Sequence, residues 1–244
     1  MDRLLFTAVS GATRVMMAQQ VHANNLANVN TSGFRADIET AESVPVKGPG
    51  FQTRTLVAVR DGGTDFSTGS LDYTDNPLDV AVRGQGFFTV EAADGSEAYT
   101  RKGTFHLNDN GELMLGERPV MGEGGPIVIP EHKELNIGKD GTISIIAPGG
   151  TAVQEVGRLK LVKPDLKDMH KSEDGLFRMT GKNARAAESD SVTVASGYVE
   201  SSNVNAIDSL VRNVALARDF EFQIKMMKAA DELASTGNRI VRGS

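Results

Sequence analysis

The residues best placed by type and spacing to do chemistry run from His106 to Glu117. Asn108, Asn110, Gly111 and Glu117 fall where a calcium-binding loop has its third, fifth, sixth and last positions. The leading position is His106, where such a loop needs a carboxylate, and the flanks read as strands where it needs helices. A hairpin turning at Asn110-Gly111 is therefore the expected structure. Gly84-Gln85-Gly86 opens like a dinucleotide-binding turn, but Thr89 stands where the third glycine belongs. The run Phe87-Phe88-Thr89-Val90 is strand-like, so a bulge or tight bend is expected instead. No Walker sequence, G-x-S-x-G or HExxH occurs. His22, His106, His132 and His170 are dispersed through different elements and supply neither a ligand cluster nor a partnered base. Cysteine is absent, which excludes a disulfide framework, a thiolate nucleophile and sulfur-ligated zinc. The carboxylates are many, but their number alone singles out no catalytic pair. No catalytic residue, metal or cofactor is expected.

Composition narrows the partners. Against 32 acidic residues stand 26 basic ones, and a net charge of −6 offers no footprint for nucleic acid or an anionic lipid surface. With 39% hydrophobic residues the chain can bury a core, while 5% aromatics and 26 glycines suit turn-rich β-structure beside aliphatic helices. The apolar start at Leu4, Leu5, Phe6, Ala8 and Val9 fails as a secretory leader, because Asp2 occupies the basic region and Arg14 interrupts it. No run approaches the length of a bilayer span, so a soluble chain without membrane insertion or a cleaved leader is expected.

Two helical stripes bracket the chain. Leu5, Val9, Ala12, Met16, Gln19 or Gln20, Ala23 and Ala27 recur at three and four residues, and the pattern stops in Asn28-Val29-Asn30-Thr31-Ser32-Gly33. Val204, Ile207, Leu210, Val214, Ala217, Phe220, Ile224, Met227, Ala230 and Leu233 do the same, with Ser201, Ser202 or Asn203 available as a cap and no Gly or Pro before Gly237. Such a helix runs about 50 Å. Between the ends the period falls to two, in short runs such as Leu78–Val82, Phe87–Val90, Ile127–Ile129 and Thr142–Ile146, parted by Asp94-Gly95, Asn110-Gly111 and Asp140-Gly141.

The expected fold is α+β: long N- and C-terminal amphipathic helices pairing in a coiled-coil-like core, with a central antiparallel β-domain. Its expected segments are a helix over 1–33, an extended arm over 34–79 with Pro45 and Pro49, the β-domain over 80–165, an extended return over 166–202 and a helix over 203–244. The helices can cover one another as a hairpin, yet two unequal helices leave apolar surface over, and surface of that size marks an interface. Met16-Met17 and Met226-Met227 suit gaps between packed subunits or ordinary core packing alike.

Four ordered blocks carry a resemblance: Ala23-Asn24-Asn25-Leu26-Ala27-Asn28-Val29-Asn30-Thr31-Ser32-Gly33-Phe34-Arg35, Asn76-Pro77-Leu78-Asp79-Val80-Ala81-Val82-Arg83-Gly84-Gln85-Gly86-Phe87-Phe88, Tyr99-Thr100-Arg101-Lys102-Gly103-Thr104-Phe105, and Gly197-Tyr198-Val199-Glu200-Ser201-Ser202-Asn203-Val204-Asn205. The chain resembles the flagellar rod and hook family. Within it, Met1-Asp2-Arg3-Leu4-Leu5, the modest length and Val44-Pro45-Val46 look most like a proximal-rod member, with a distal-rod member as the near alternative. The resemblance implies a non-enzymatic subunit of the basal-body rod across the periplasm, passed through the flagellar export apparatus without signal cleavage. It implies partners among the proximal and distal rod proteins and copies of the chain itself.

The expected assembly interface follows from the stripes and the asparagines at the helix ends: Leu5, Val9, Ala12, Met16, Asn24, Asn25, Leu26 and Asn28 from the first helix, with Asn203, Val204, Ile207, Leu210, Val214, Ala217 and Ile224 from the second. Two rivals come from other classes. A β-rich carbohydrate-active enzyme needs a concave pocket with convergent polar groups, and a surface adhesin needs an exposed ligand face and an export signal.

Overall fold

The computed structural model describes residues 2–46, 55–181 and 184–243; Met1 and Pro49 of the sequence reading lie outside them. The chain divides into two compact units. One comprises Met1–Ala27, Asp37–Gly63 and Asn205–Ser244, the other Asn28–Ala36 and Thr64–Val204.

In the first unit, α1 (Asp2–Ala27) packs against α2 (Ala206–Arg242), and a ribbon pairs β1 (Asp37–Pro45) with β2 (Thr55–Thr64). Small side chains make the α1 seam. Ala8, Ala12, Val15 and Ala18 are buried at helical spacing, and Gly11 lies so close to α2 that a Cβ there would sit 3.1 Å from the Gln223 amide. The ribbon is fastened to α1 by polar groups; β1 side chains are largely exposed, while those of β2 are mostly half-buried. Ser10 Oγ donates to Val57 O at 3.1 Å, Asn25 takes both backbone groups of Asp37 at 2.9 Å, and Arg14 reaches Glu39 at 3.2 Å.

Helix α2 starts differently from the expectation at Ser201, Ser202 or Asn203. Its cap is Asn205, whose side chain accepts from the amides of Ile207 at 3.0 Å and Asp208 at 3.2 Å. The helix runs through Gly237 and ends at Gly243, whose φ of 71° closes it in the left-handed conformation. Its 37 residues give about 55 Å of length.

The second unit is β-rich. Its largest sheet has five strands in the order Leu161–Val162, β5 (Phe87–Glu91), β6 (Glu97–Thr100), Phe177–Met179 and Met169–Lys171, with antiparallel neighbours throughout. Smaller sheets pair β3 (Leu71–Tyr73) with Tyr198–Glu200 and β4 (Val80–Arg83) with Thr193–Ser196. The expected turns are present: Asp94-Gly95 joins β5 to β6, Asn110-Gly111 joins β7 (His106–Leu107) to β8 (Leu113–Leu115), and Asp140-Gly141 joins Glu134–Ile137 to Thr142–Ile146. Alternation along β5 feeds two cores. Phe88 and Val90 enter one with Val80, Val82, Leu113, Ile143 and Leu161, while Phe87 enters another with Tyr99, Val162, Met169 and Phe177.

Two segments differ from the sequence reading. The arm over 34–79 contains the β1–β2 ribbon and β3, and the return over 166–202 contributes four strands to sheets shared with β3, β4 and β6. These edges hold backbone groups that need partners, and the late segments supply them. Ile127–Ile129 forms no strand; Ile127 and Ile129 enter the core while Val128 makes a single bridge to Glu112.

Candidate functional site

Glu200 closes the second unit. Its Oε1 accepts from Arg35 Nη2 at 2.6 Å, Gly69 N at 3.1 Å and Arg101 Nη2 at 3.2 Å, and its Oε2 accepts from Arg101 Nε at 2.8 Å. All three charged side chains are buried. Two guanidiniums share one carboxylate, so a positive charge is left over, and backbone oxygens absorb it. Arg101 donates to Gly86 O at 2.6 Å and Gly84 O at 2.8 Å. The bend expected at Gly84-Gln85-Gly86 is thus a carbonyl cradle. Burial pulls Arg101 below its ordinary pKa, Glu200 opposes that shift, and Arg35 adds to it.

The same region gathers further chain segments. Gly33 N donates to Glu200 O at 2.7 Å, and a Cβ at Gly33 would sit 2.4 Å from Lys102 N. Asn203 accepts from Ala36 N at 2.8 Å and donates to Asp65 O at 2.8 Å. Lys171 lies over the Phe34 ring, 3.9 Å from its centroid, and donates to Arg35 O. Four donors converge on the buried Glu200 carboxylate, three on Oε1 and one on Oε2. Buried between two guanidiniums, it is out of reach of a substrate or a cation, so the arrangement fastens and does not react. Arg35, Arg101 and Glu200 each lie in one of the sequence blocks, but no local pattern marks them as partners.

The expected interface residues separate into groups. Leu5, Val9 and Met16 of α1 are exposed, as are Ile207, Leu210 and Val214 of α2. Ala12 is buried in the helix seam; Leu26, Val204, Ala217 and Ile224 are half-buried. Asn24 is exposed on α1, and Asn28 accepts from the Thr31 hydroxyl at 3.1 Å. Asn25 and Asn203 belong to the expected interface set. Within the chain both bond backbone, Asn25 at Asp37 and Asn203 at Ala36, Asp65 and Ser67. Phe6, Met17 and Val211, absent from the expected set, add to the exposed apolar surface.

A cleft of about 700 Å³ in the second unit is lined by Glu123, Asp140, Thr142, Glu155 and Arg158. Arg158 is held there by Glu123 at 3.4 Å, Asp190 at 2.9 Å and Asp140 O at 3.0 Å. Among the described residues no group of three or more His, Asp or Glu is placed to hold a metal ion. Nor is any described helix long and apolar enough to cross a membrane.

Three family models match in chain order: a flagella basal body rod protein model over 5–35, a flagellar hook protein FlgE/F/G D1 domain over 81–145, and a flagellar basal body rod FlgEFG C-terminal model over 195–240. The flagellar basal-body rod protein FlgF of Salmonella typhimurium is 42% identical over 99% of both chains. The chain belongs to the flagellar basal-body rod family. FlgF of Escherichia coli K12 is 41% identical over 99% of both chains, and FlgG of Buchnera aphidicola subsp. Schizaphis graminum 32% over 94% of this chain and 96% of that one. As a rod-family member the chain is a structural component of the flagellar basal body and not an enzyme. The models over 5–35 and 195–240 cover most of α1 and α2.

Proposed function

We propose that this rod-family chain is a proximal-rod subunit whose two terminal helices build a helical drive shaft with neighbouring rod proteins and further copies of itself. One observation carries the reading: the α1 seam is built from small residues, while the large apolar side chains Leu5, Phe6, Val9, Ile207, Leu210 and Val211 face solvent. Burying one Leu or Val side chain contributes about 1.5–3 kcal/mol, so a few such contacts per neighbour offset the ordering of long helices. At helical spacing Leu5, Phe6 and Val9 share one face of α1, and Ile207, Leu210 and Val211 one face of α2; two such unlike surfaces suit head-to-tail contacts that extend without closing. Torque then passes along packed helices. The 42% and 41% identity to FlgF of Salmonella typhimurium and Escherichia coli K12, against 32% to FlgG of Buchnera aphidicola subsp. Schizaphis graminum, supports the proximal position. Passage through the flagellar export apparatus without signal cleavage, to a rod crossing the periplasm, completes the proposal.

The test is Leu210→Asp in cells lacking the native copy. The variant is expected to keep the second unit folded, to be missing from isolated basal bodies and to leave cells non-motile. A Leu210→Asp protein that enters rods and restores motility contradicts the reading.

A further inference from the structure

The chain has nine methionines, no cysteine and no tryptophan, so its thioethers are its most readily oxidised side chains. Their exposure is uneven. Met16, Met17 and Met226 are 57%, 47% and 38% exposed, and all three lie on α1 or α2. In the second unit Met169 is buried, and Met114, Met121 and Met179 are half-buried. At helical spacing Met16 shares a face with the exposed Leu5 and Val9, Met17 with Phe6, and Met226 with Phe222 and Leu233.

We propose that Met16, Met17 and Met226 are three sites of oxidation by peroxides that govern whether a free subunit can assemble; the proposal rests on the helix-assembly reading above. Hydrogen peroxide transfers one oxygen to the sulfur: an S–O bond forms as the O–O bond breaks, the sulfur is oxidised by two electrons, and water leaves. The sulfoxide is polar and chiral, and inside an apolar contact its oxygen lacks a donor. Assembly covers the same sulfurs, so the reagent inactivates free subunits and spares assembled ones. Methionine sulfoxide reduction restores competence.

The experiment treats the full chain with hydrogen peroxide, maps the added oxygens by peptide mass, and measures self-association by sedimentation. Oxygens are expected first on Met16, Met17 and Met226, with the concentration needed for assembly raised about tenfold or more, equivalent to the loss of one good apolar contact. Reductase treatment should reverse the loss. A Met16→Leu, Met17→Leu, Met226→Leu variant, close to volume-conserving, should assemble equally with and without peroxide. If the untreated chain assembles and the oxidised chain does so equally well, the inference is overturned while the assembly reading stands. It is also overturned if the leucine variant is as peroxide-sensitive as the native chain. If the untreated chain stays monomeric at every concentration, both are overturned.

Discussion

Arg35 Nη2 stands 2.6 Å from Glu200 Oε1, a buried ion pair between residues 165 positions apart in the chain. Arg101 completes it from 99 positions away. The second unit therefore reaches its final packing only when the segment around Glu200 arrives, and three distant stretches of chain are fixed by one carboxylate.

Replacing that carboxylate leaves two guanidiniums buried against carbonyl oxygens alone. Glu200→Gln should destabilise the second unit by about 3–5 kcal/mol, the usual cost of removing one partner from a buried ion pair. Denaturant titration of the full chain measures it. A loss below about 1 kcal/mol, the scale of an exposed pair, contradicts the role assigned to Glu200.

Two exposed turns carry a pH signature. The Asp94 and Asp140 carboxylates lie below their ordinary pKa, chiefly through the Ser96 hydroxyl at 2.6 Å and the Thr142 hydroxyl at 2.7 Å. Because the folded values lie below the unfolded ones, the stability these turns add is complete above the ordinary aspartate range. It is lost as pH falls through the depressed folded values. NMR titration of Ser96→Ala should show Asp94 moved back up toward an ordinary carboxylate and Asp140 unmoved. An unmoved Asp94 contradicts the assigned cause.

At Gly103 a Cβ would lie 1.7 Å from Val80 O, the oxygen side of a backbone whose amide already bonds Gly103 O. At Gly124 a Cβ meets nothing within 4 Å. Gly103→Ala should cost about 1–3 kcal/mol or more through overpacking, and Gly124→Ala should stay within about 0.5 kcal/mol. Thermal denaturation of the two variants side by side checks the ordering, and equal midpoints contradict it.

Asn205 holds the first amides of α2, so Asn205→Ala should cost about 1 kcal/mol of helix stability. Hydrogen exchange at Ile207 and Asp208 reads it directly: both amides should exchange faster, with those of the second-unit sheets unaffected. Unchanged exchange at both contradicts the cap.

Both helices are legible in the sequence, since long runs of period 3.6 leave few alternatives, and the hairpin turns are legible in Asp94-Gly95, Asn110-Gly111 and Asp140-Gly141. Strands of three residues, such as Met169–Lys171, Phe177–Met179 and Tyr198–Glu200, are too short to show a period. What forms them is the need of β3, β6 and their neighbours for partners, a tertiary demand that no window of sequence displays. The candidate interface is legible in part. A stripe shows that Ala12 and Leu210 lie on apolar faces, but not that the helix seam takes the alanine and leaves the leucine outside. Arg35, Arg101 and Glu200 read singly as ordinary charged residues, because only folding brings them together.

If neighbouring subunits cover the outward apolar side chains of α1 and α2, the absence of cysteine permits a direct measurement. Leu210→Cys places one thiol on α2 at a residue 55% exposed, and Val153→Cys places one in the second unit at a residue 68% exposed as a control. Both thiols should react rapidly with a maleimide in the dilute chain. In isolated basal bodies the thiol at position 210 should be protected at least tenfold, roughly the effect of 1.4 kcal/mol of burial, while that at position 153 stays reactive. A thiol at position 210 equally reactive in the free and assembled states contradicts the account.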